Sequence, residues 1–114
     1  MTWSSTVQNL WGRFVARRHG GERRVVVGHR GRGGTVAYVD GGGAQIQFEF
    51  EFGGGDCLAI IYVPNETEWV SQTQTPLAQR DEILNFVAEC VQRDHAHSSY
   101  YQICADYVNF YTRK

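Results

Sequence analysis

The sequence predicts an α+β protein, in which one long helix at about 76–94 packs on one face of an antiparallel meander sheet of four to six strands. Three observations carry this prediction. Apolar and polar residues alternate from Ala44 to Phe52, as in a half-buried strand. Glycine-rich turns flank this run, and an apolar stripe with helical spacing follows it. The length of 114 residues predicts a single domain, 1–114.

The N-terminal region predicts a second helix. Five apolar residues there follow helical spacing, a serine or threonine at positions 4–6 can cap the start, and Gly20–Gly21 can end it. A hairpin that joins 13–18 to 23–27 is the alternative. The apolar positions are Val7, Leu10, Trp11, Phe14 and Val15.

Short apolar runs between glycine turns predict the strands. Glycine suits these turns because it adopts positive φ at no steric cost. The run from Cys57 to Val63 is apolar on both faces, which predicts a central strand that Pro64 ends. In chain order, strands are predicted at Arg24–Gly28, Thr35–Asp40, Ala44–Phe52, Cys57–Val63 and, as a short edge strand carrying Trp69, Thr67–Ser71, with a loop at His29–Gly34 and turns at Asp40–Gly43 and Gly53–Asp56.

The same patterns predict which side chains form the core. The alternating strand turns one apolar set toward the helix and leaves a polar set in water. Thr75, a capping residue, precedes Pro76 at the first helical position. The apolar strand set is Ile46, Phe48, Phe50 and Phe52; the helix stripe is Ile83, Leu84, Val87, Cys90 and Val91; and the polar side of the helix is Gln79, Arg80, Asp81, Glu82, Glu89 and Gln92.

The C-terminal segment from Tyr100 to Tyr111 is rich in aromatic residues. It predicts one or two strands that turn near Asp106.

Charge divides the chain into two unlike parts. Residues 1–34 hold seven arginines and one glutamate, a net charge of +6, whereas residues 35–114 have a net charge of −7. Such asymmetry concerns partners rather than fold. The basic part can meet nucleic acid, an acidic protein, or the acidic part of its own chain.

One resemblance covers roughly the second half of the chain. Its residues are Glu68-Trp69, Pro76-Leu77, Arg80 to Leu84, Val87 to Glu89 and Arg93-Asp94, which follow the glycine-hinged strands. This stretch resembles small uncharacterised bacterial proteins of the kind carried on integrons and other mobile gene cassettes. The resemblance implies a compact orphan domain and supplies no catalytic or binding residue.

Two charged pairs are candidate binding residues. Arg30 and Arg32 stand in an Arg-Gly-Arg-Gly-Gly loop, where arginines can reach phosphates. One short repeat is a weak signal, so nucleic acid is a possible partner that the sequence does not favour. Glu49 and Glu51 point to one face of a strand and can serve as an acid and base pair or bind a cation. The favoured interpretation is that they belong to the solvent-facing side of the strand.

Histidines and cysteines form no recognisable catalytic or metal motif. His95 and His97 lie near the helix end without a fourth ligand at standard spacing. Cys57, Cys90 and Cys104 lie in apolar surroundings, where free cysteine behaves as a small core residue. We therefore predict no catalytic residue, no metal and no cofactor.

Aromatic residues exceed what one small core requires. Trp69, Tyr100 and Tyr101 are the candidate partner-binding residues of this kind, since aromatic side chains dominate interface hot spots.

The leading interpretation is a small non-catalytic interaction protein that self-associates as a dimer or binds another protein, in an immunity-like or antitoxin-like role. The alternatives are a nucleic-acid binder that uses the arginine-rich region, and a small-molecule binder or enzyme that uses the open sheet face. An odd number of cysteines without CxxC spacing, no signal peptide and no membrane-spanning run indicate the cytoplasm.

Overall fold

The structure, a computed structural model, describes residues 22–112. They form a six-stranded, fully antiparallel sheet with one long helix on one face, which confirms the predicted α+β class. The predicted N-terminal helix over Val7–Val15 lies outside this range, and so does the 13–18 arm of the hairpin alternative. The strands are β1 (Arg24–Arg30), β2 (Gly33–Val39), β3 (Gln45–Phe52), β4 (Cys57–Tyr62), β5 (Ser99–Ile103) and β6 (Tyr107–Thr112), and the helices are α1 (Trp69–Thr73) and α2 (Arg80–His95).

The strands lie in the order β1-β2-β3-β4-β6-β5. The meander therefore holds for the first four strands. Helix α2 then carries the chain across the sheet to its far edge, where β5 lies, and β6 returns between β5 and β4. The aromatic tail forms two strands that turn at 104–106, as predicted. β4 lies between β3 and β6, in agreement with the prediction of a central strand.

The core lies between α2 and one face of the sheet. Ile46, Phe48 and Phe50 alternate toward the helix, as predicted, and each is less than a tenth exposed. The predicted helix stripe is buried against them. The face of the sheet turned away from α2 is called the outer face below. It carries the intervening residues of each strand, among them Glu49 and Glu51.

Two strand predictions were wrong in detail. Phe52 belongs to the apolar set of β3 but is 46% exposed, because it lies at the strand end beyond the cover of α2. The loop predicted at His29–Gly34 shrinks to two residues, Gly31 and Arg32, because β1 and β2 continue pairing up to Arg30 and Gly33. Gly31, at φ 60°, supplies the positive φ that this short hairpin needs.

The segment that leads to α2 also differs from prediction. The residues predicted as an edge strand at Thr67–Ser71 instead form part of a turn and the start of α1. The turn before α1 is held by a hydrogen bond in which the Glu68 backbone N–H donates to Asn65 Oδ1 at 3.0 Å. A 3₁₀ turn at Leu77–Gln79 precedes α2, and no side chain caps either of them. The Thr75 hydroxyl donates to the Thr73 carbonyl instead of capping the helix.

Arg80 was predicted on the polar side of the helix and is instead 5% exposed. The reason is that three hydrogen bonds to backbone carbonyls satisfy its guanidinium inside the fold. Across residues 22–112, no helix has the length and apolar character needed to cross a membrane.

Candidate binding surfaces

The half of the outer face formed by β3, β4, β6 and β5 presents a group of tyrosines. β6 and β5 alternate, so that Tyr107 and Tyr111 point outward while Val108 and Phe110 point to the core. The exposed fractions are 44% for Tyr62, 47% for Tyr100 and 38% for Tyr107. We call these four side chains, Tyr62, Tyr100, Tyr107 and Tyr111, the tyrosine patch.

Contacts within the tyrosine patch hold its rings in place. The Tyr100 and Tyr111 rings lie 5.3 Å apart, centre to centre. The Asn109 amide donates a hydrogen bond to the Tyr111 hydroxyl at 2.7 Å. Tyr62 and Tyr107 are cross-strand partners on β4 and β6. A rigid surface that is apolar on its rings and polar at its hydroxyls suits association with a protein.

The predicted carboxylates border this patch. Glu49 pairs in register with Tyr62 and Glu51 with Ile60, and both glutamates are exposed. The Tyr62 hydroxyl donates to Glu51 Oε1 at 3.1 Å. This hydrogen bond, followed by burial, raises the pKa of Tyr62, because ionised Tyr62 would place a second negative charge beside Glu51. Neither glutamate makes an ion pair with another residue between 22 and 112.

The predicted arginines lie at the end of the β1–β2 hairpin. Arg30 and Arg32 are both exposed there. Arg30, Gly33 and Glu51 occupy one row across β1, β2 and β3, so Arg30 and Glu51 share the outer face two strands apart, at about 10 Å. The structure therefore brings Arg30, Glu49, Glu51 and Tyr100 onto one side of the sheet.

Trp69 and Tyr101, which were also candidate binding residues, lie on the α2 side of the sheet. Trp69 is fully buried, its ring stacks on Phe48 at 6.4 Å, and its Nε1–H donates to the Pro76 carbonyl. Tyr101 is half-buried beneath α2, where its hydroxyl donates to Asn85 Oδ1 at 3.1 Å. Burial, with a smaller effect of Glu89, raises the pKa of Tyr101. Trp69 is thus a core residue, and neither side chain belongs to the tyrosine patch.

A second concave feature lies between the C-terminal end of α2 and the sheet. It is an apolar pocket of about 210 Å³, with Val36, Ile61 and Phe110 among its buried walls. His29 and His95 stand at its edge, and their ring centres are 6.3 Å apart. Among residues 22–112, no group of three or more histidine, cysteine or acidic side chains is arranged to hold a metal ion.

Sequence reasoning did not identify this pocket. It placed His29 in a loop and Phe52 in the core, whereas the two rings stack at the pocket edge with centres 5.6 Å apart. It also did not single out Tyr62. The sequence did contain a signal for His29, because it continues the every-second-residue pattern of Val25 and Val27 and so shares their face of β1. The neighbouring Arg-Gly residues predicted a loop and hid this pattern.

Comparisons with known proteins gave no match: no family model, no curated protein and no solved structure is similar to the chain at a significant level.

Proposed function

We propose that this protein is a small non-catalytic binding protein that pairs with a second copy of itself through the tyrosine patch. The observation that carries the proposal is the exposure of Tyr62, Tyr100 and Tyr107 together on one face of a rigid sheet. Three large aromatic side chains, each more than a third exposed, lie on three neighbouring strands of this face, and exposed aromatic side chains are enriched at interaction sites.

The register of the strands makes this face complementary to itself. A twofold axis parallel to the strands, between β4 and β6, would exchange those two strands across the interface. Tyr62 of one copy then meets Tyr107 of the other, because the two residues share a row. In the next row, Glu51 meets the exposed amide of Gln102, since Glu51, Ile60, Asn109 and Gln102 are aligned. Glu51 thereby faces a donor rather than another carboxylate.

The area of this face indicates how tightly the two copies should associate. Four strands spaced at about 4.8 Å, each contributing about five residues of about 3.3 Å, span a projected area of about 300 Å². Standard interfaces bury about 800 Å² on each partner. We therefore expect a reversible dimer whose dissociation constant lies in the micromolar range rather than an obligate one.

Sedimentation equilibrium of the whole chain between about 1 and 500 μM tests this proposal. The wild type should pass from monomer to dimer mass across that range. Tyr107→Arg, placed in the patch, should shift the transition at least tenfold higher in concentration. The matched control is Leu77→Arg, because Leu77 is also a large exposed apolar residue, at 45%, but lies beside α2, away from the patch. A wild type that stays monomeric throughout, or two variants with equal effects, would overturn the proposal.

The biological setting is part of the same proposal. An immunity-like or antitoxin-like role is one concrete form, supported by the acidic body of the chain and by the resemblance to cassette-borne proteins. The cytoplasm is the proposed compartment, supported by three cysteines that are all free thiols.

A further inference from the structure

The apolar pocket beside α2 is large enough for a small organic molecule. Its volume is about 210 Å³. An apolar cavity of about 150 Å³ in another protein holds benzene, which has six non-hydrogen atoms. By proportion, this pocket suits a ligand of about eight or nine non-hydrogen atoms. Its inner wall is fixed, because Val36, Ile61 and Phe110 are each no more than 1% exposed.

The polar groups of the pocket are confined to one edge. Of the twelve side chains that line it, ten are apolar, the two histidines are His29 and His95, and none is acidic. Within residues 22–112, no hydrogen bond uses a ring nitrogen of either histidine. An imidazole carries an N–H donor in both protonation states. The ring centres, 6.3 Å apart, are close enough for one carboxylate beside the two rings to accept a hydrogen bond from each.

The edge of the pocket exposes apolar surface that a ligand would cover. Phe52 is 46% exposed and Leu58 is 39% exposed. A register shift between Cys57 and Ala59 interrupts the β4–β6 pairing, and both Leu58 and Ala59 line the pocket there. Bulges of this kind commonly redirect a side chain beside a binding site.

The acid beside the pocket histidines is paired with an arginine. Arg32 lies in the exposed turn after β1, the strand that carries His29, whereas Arg30 lies on the outer face with Glu51. The acid next to His95 is Asp94, but Arg93 donates to both of its carboxylate oxygens, at 2.9 and 3.0 Å. That ion pair lowers the pKa of Asp94 and occupies its oxygens.

We propose that this pocket binds a monocarboxylate whose apolar group has about five or six carbon atoms. The apolar group lies against Val36, Ile61 and Phe110, and the carboxylate accepts hydrogen bonds from His29 and His95. The pocket and the tyrosine patch lie on opposite faces of the sheet, so this inference does not depend on the proposed dimer.

Amide chemical shifts of the isotope-labelled full chain, titrated with hexanoate, test the proposal. Hexanoate has eight non-hydrogen atoms, and hexan-1-ol is its neutral counterpart. We expect saturable shifts at Val27, Phe50 and Ala96, and an affinity for hexanoate at least tenfold above that for hexan-1-ol. Shifts that do not saturate, that lie at the tyrosine patch, or that are equal for the two probes would overturn the proposal.

Variants separate the two parts of the site. His29→Leu with His95→Leu, which removes both N–H donors, should weaken hexanoate at least tenfold, to the level of hexan-1-ol. His97→Leu, two residues beyond the end of α2 and outside the pocket lining, should leave both affinities unchanged. Ala59→Leu should fill the pocket and abolish binding of both probes. If that variant does not fold, Ala96→Leu fills the space from the helix side. Unchanged hexanoate affinity in the double histidine variant, or in a folded pocket-filling variant, would contradict the assignment.

Discussion

Arg80 joins three separate parts of the chain, so its replacement tests the packing of α2 sharply. It is the first residue of α2 and is 5% exposed. Its guanidinium donates to the Pro64 carbonyl from Nε and Nη2, at 3.1 and 3.0 Å, and to the Ala105 carbonyl from Nη2, at 2.8 Å. These bonds fix the segment after β4 and the turn between β5 and β6 against the start of the helix.

Arg80→Met retains an unbranched side chain and removes every donor. Each of the two carbonyl oxygens then loses a charged partner, at a cost of about 1–3 kcal/mol where the oxygen is buried. The guanidinium also lies 5.8 Å from the centre of the Trp69 ring. A cation–π contact of this kind contributes about 0.5–1 kcal/mol. We expect the free energy of unfolding to fall by about 4 kcal/mol.

Urea titration followed by far-UV circular dichroism measures this loss. Arg80→Lys should fall between the wild type and Arg80→Met, since an ammonium group lacks the fork that reaches both carbonyls. Arg93→Met is the matched control on the same helix, because the Arg93 side chain is 70% exposed, and its midpoint should not change measurably. A loss below about 1 kcal/mol in Arg80→Met would refute the reasoning and show that water satisfies the two carbonyls.

Three further predictions concern the core, the sheet and the charge. Phe50→Ala should lower the free energy of unfolding by about 3–5 kcal/mol in urea titration, because Phe50 is only 6% exposed and lies in the core. A loss of only a few tenths of a kcal/mol would contradict that placement. Gly34→Ala should cost about 3 kcal/mol, because its Cβ would come within 1.9 Å of a carbonyl oxygen of β1, whereas Gly54→Ala, with nothing within 4 Å, should stay within about 0.5 kcal/mol of wild type by the same measurement. Fluorescence anisotropy with mixed DNA and RNA oligomers at physiological salt should show weak or no binding, since residues 35–114 have a net charge of −7; tight, salt-dependent binding that Arg30→Ala with Arg32→Ala removes would contradict this.

The sequence predicted the fold where one local pattern had one physical solution. The alternation through β3 can bury only one set of side chains, and that set includes Phe48 and Phe50. Alternation defines a face but not the depth of burial, so Phe52 at the strand end was placed wrongly. Trp69 suggested a strand through its β-propensity, but the hydrogen bonds of the preceding turn and the burial of its ring in the core determine a helix instead.

The functional surfaces were less accessible to sequence reasoning because they form only in three dimensions. Arg80 was predicted to be solvent-exposed, since charged residues are rarely buried. Its burial depends on two carbonyl groups that are distant in sequence, so the neighbouring residues give no sign of it. The tyrosine patch depends on the transposed order of β5 and β6, which sets Tyr107 beside Tyr62. The pocket requires the end of α2 to approach β1, so that His95 meets His29.

The proposed self-association is tested most directly by contacts between copies. In an equal mixture of isotope-labelled and unlabelled chain at several hundred micromolar, isotope-filtered nuclear Overhauser spectra report only contacts between subunits. The proposal predicts contacts from the ring of Tyr62 in one copy to that of Tyr107 in the other, and from Gln102 to Glu51. Contacts confined to α2 or to residues outside the outer face, or no contacts between copies at all, would contradict it.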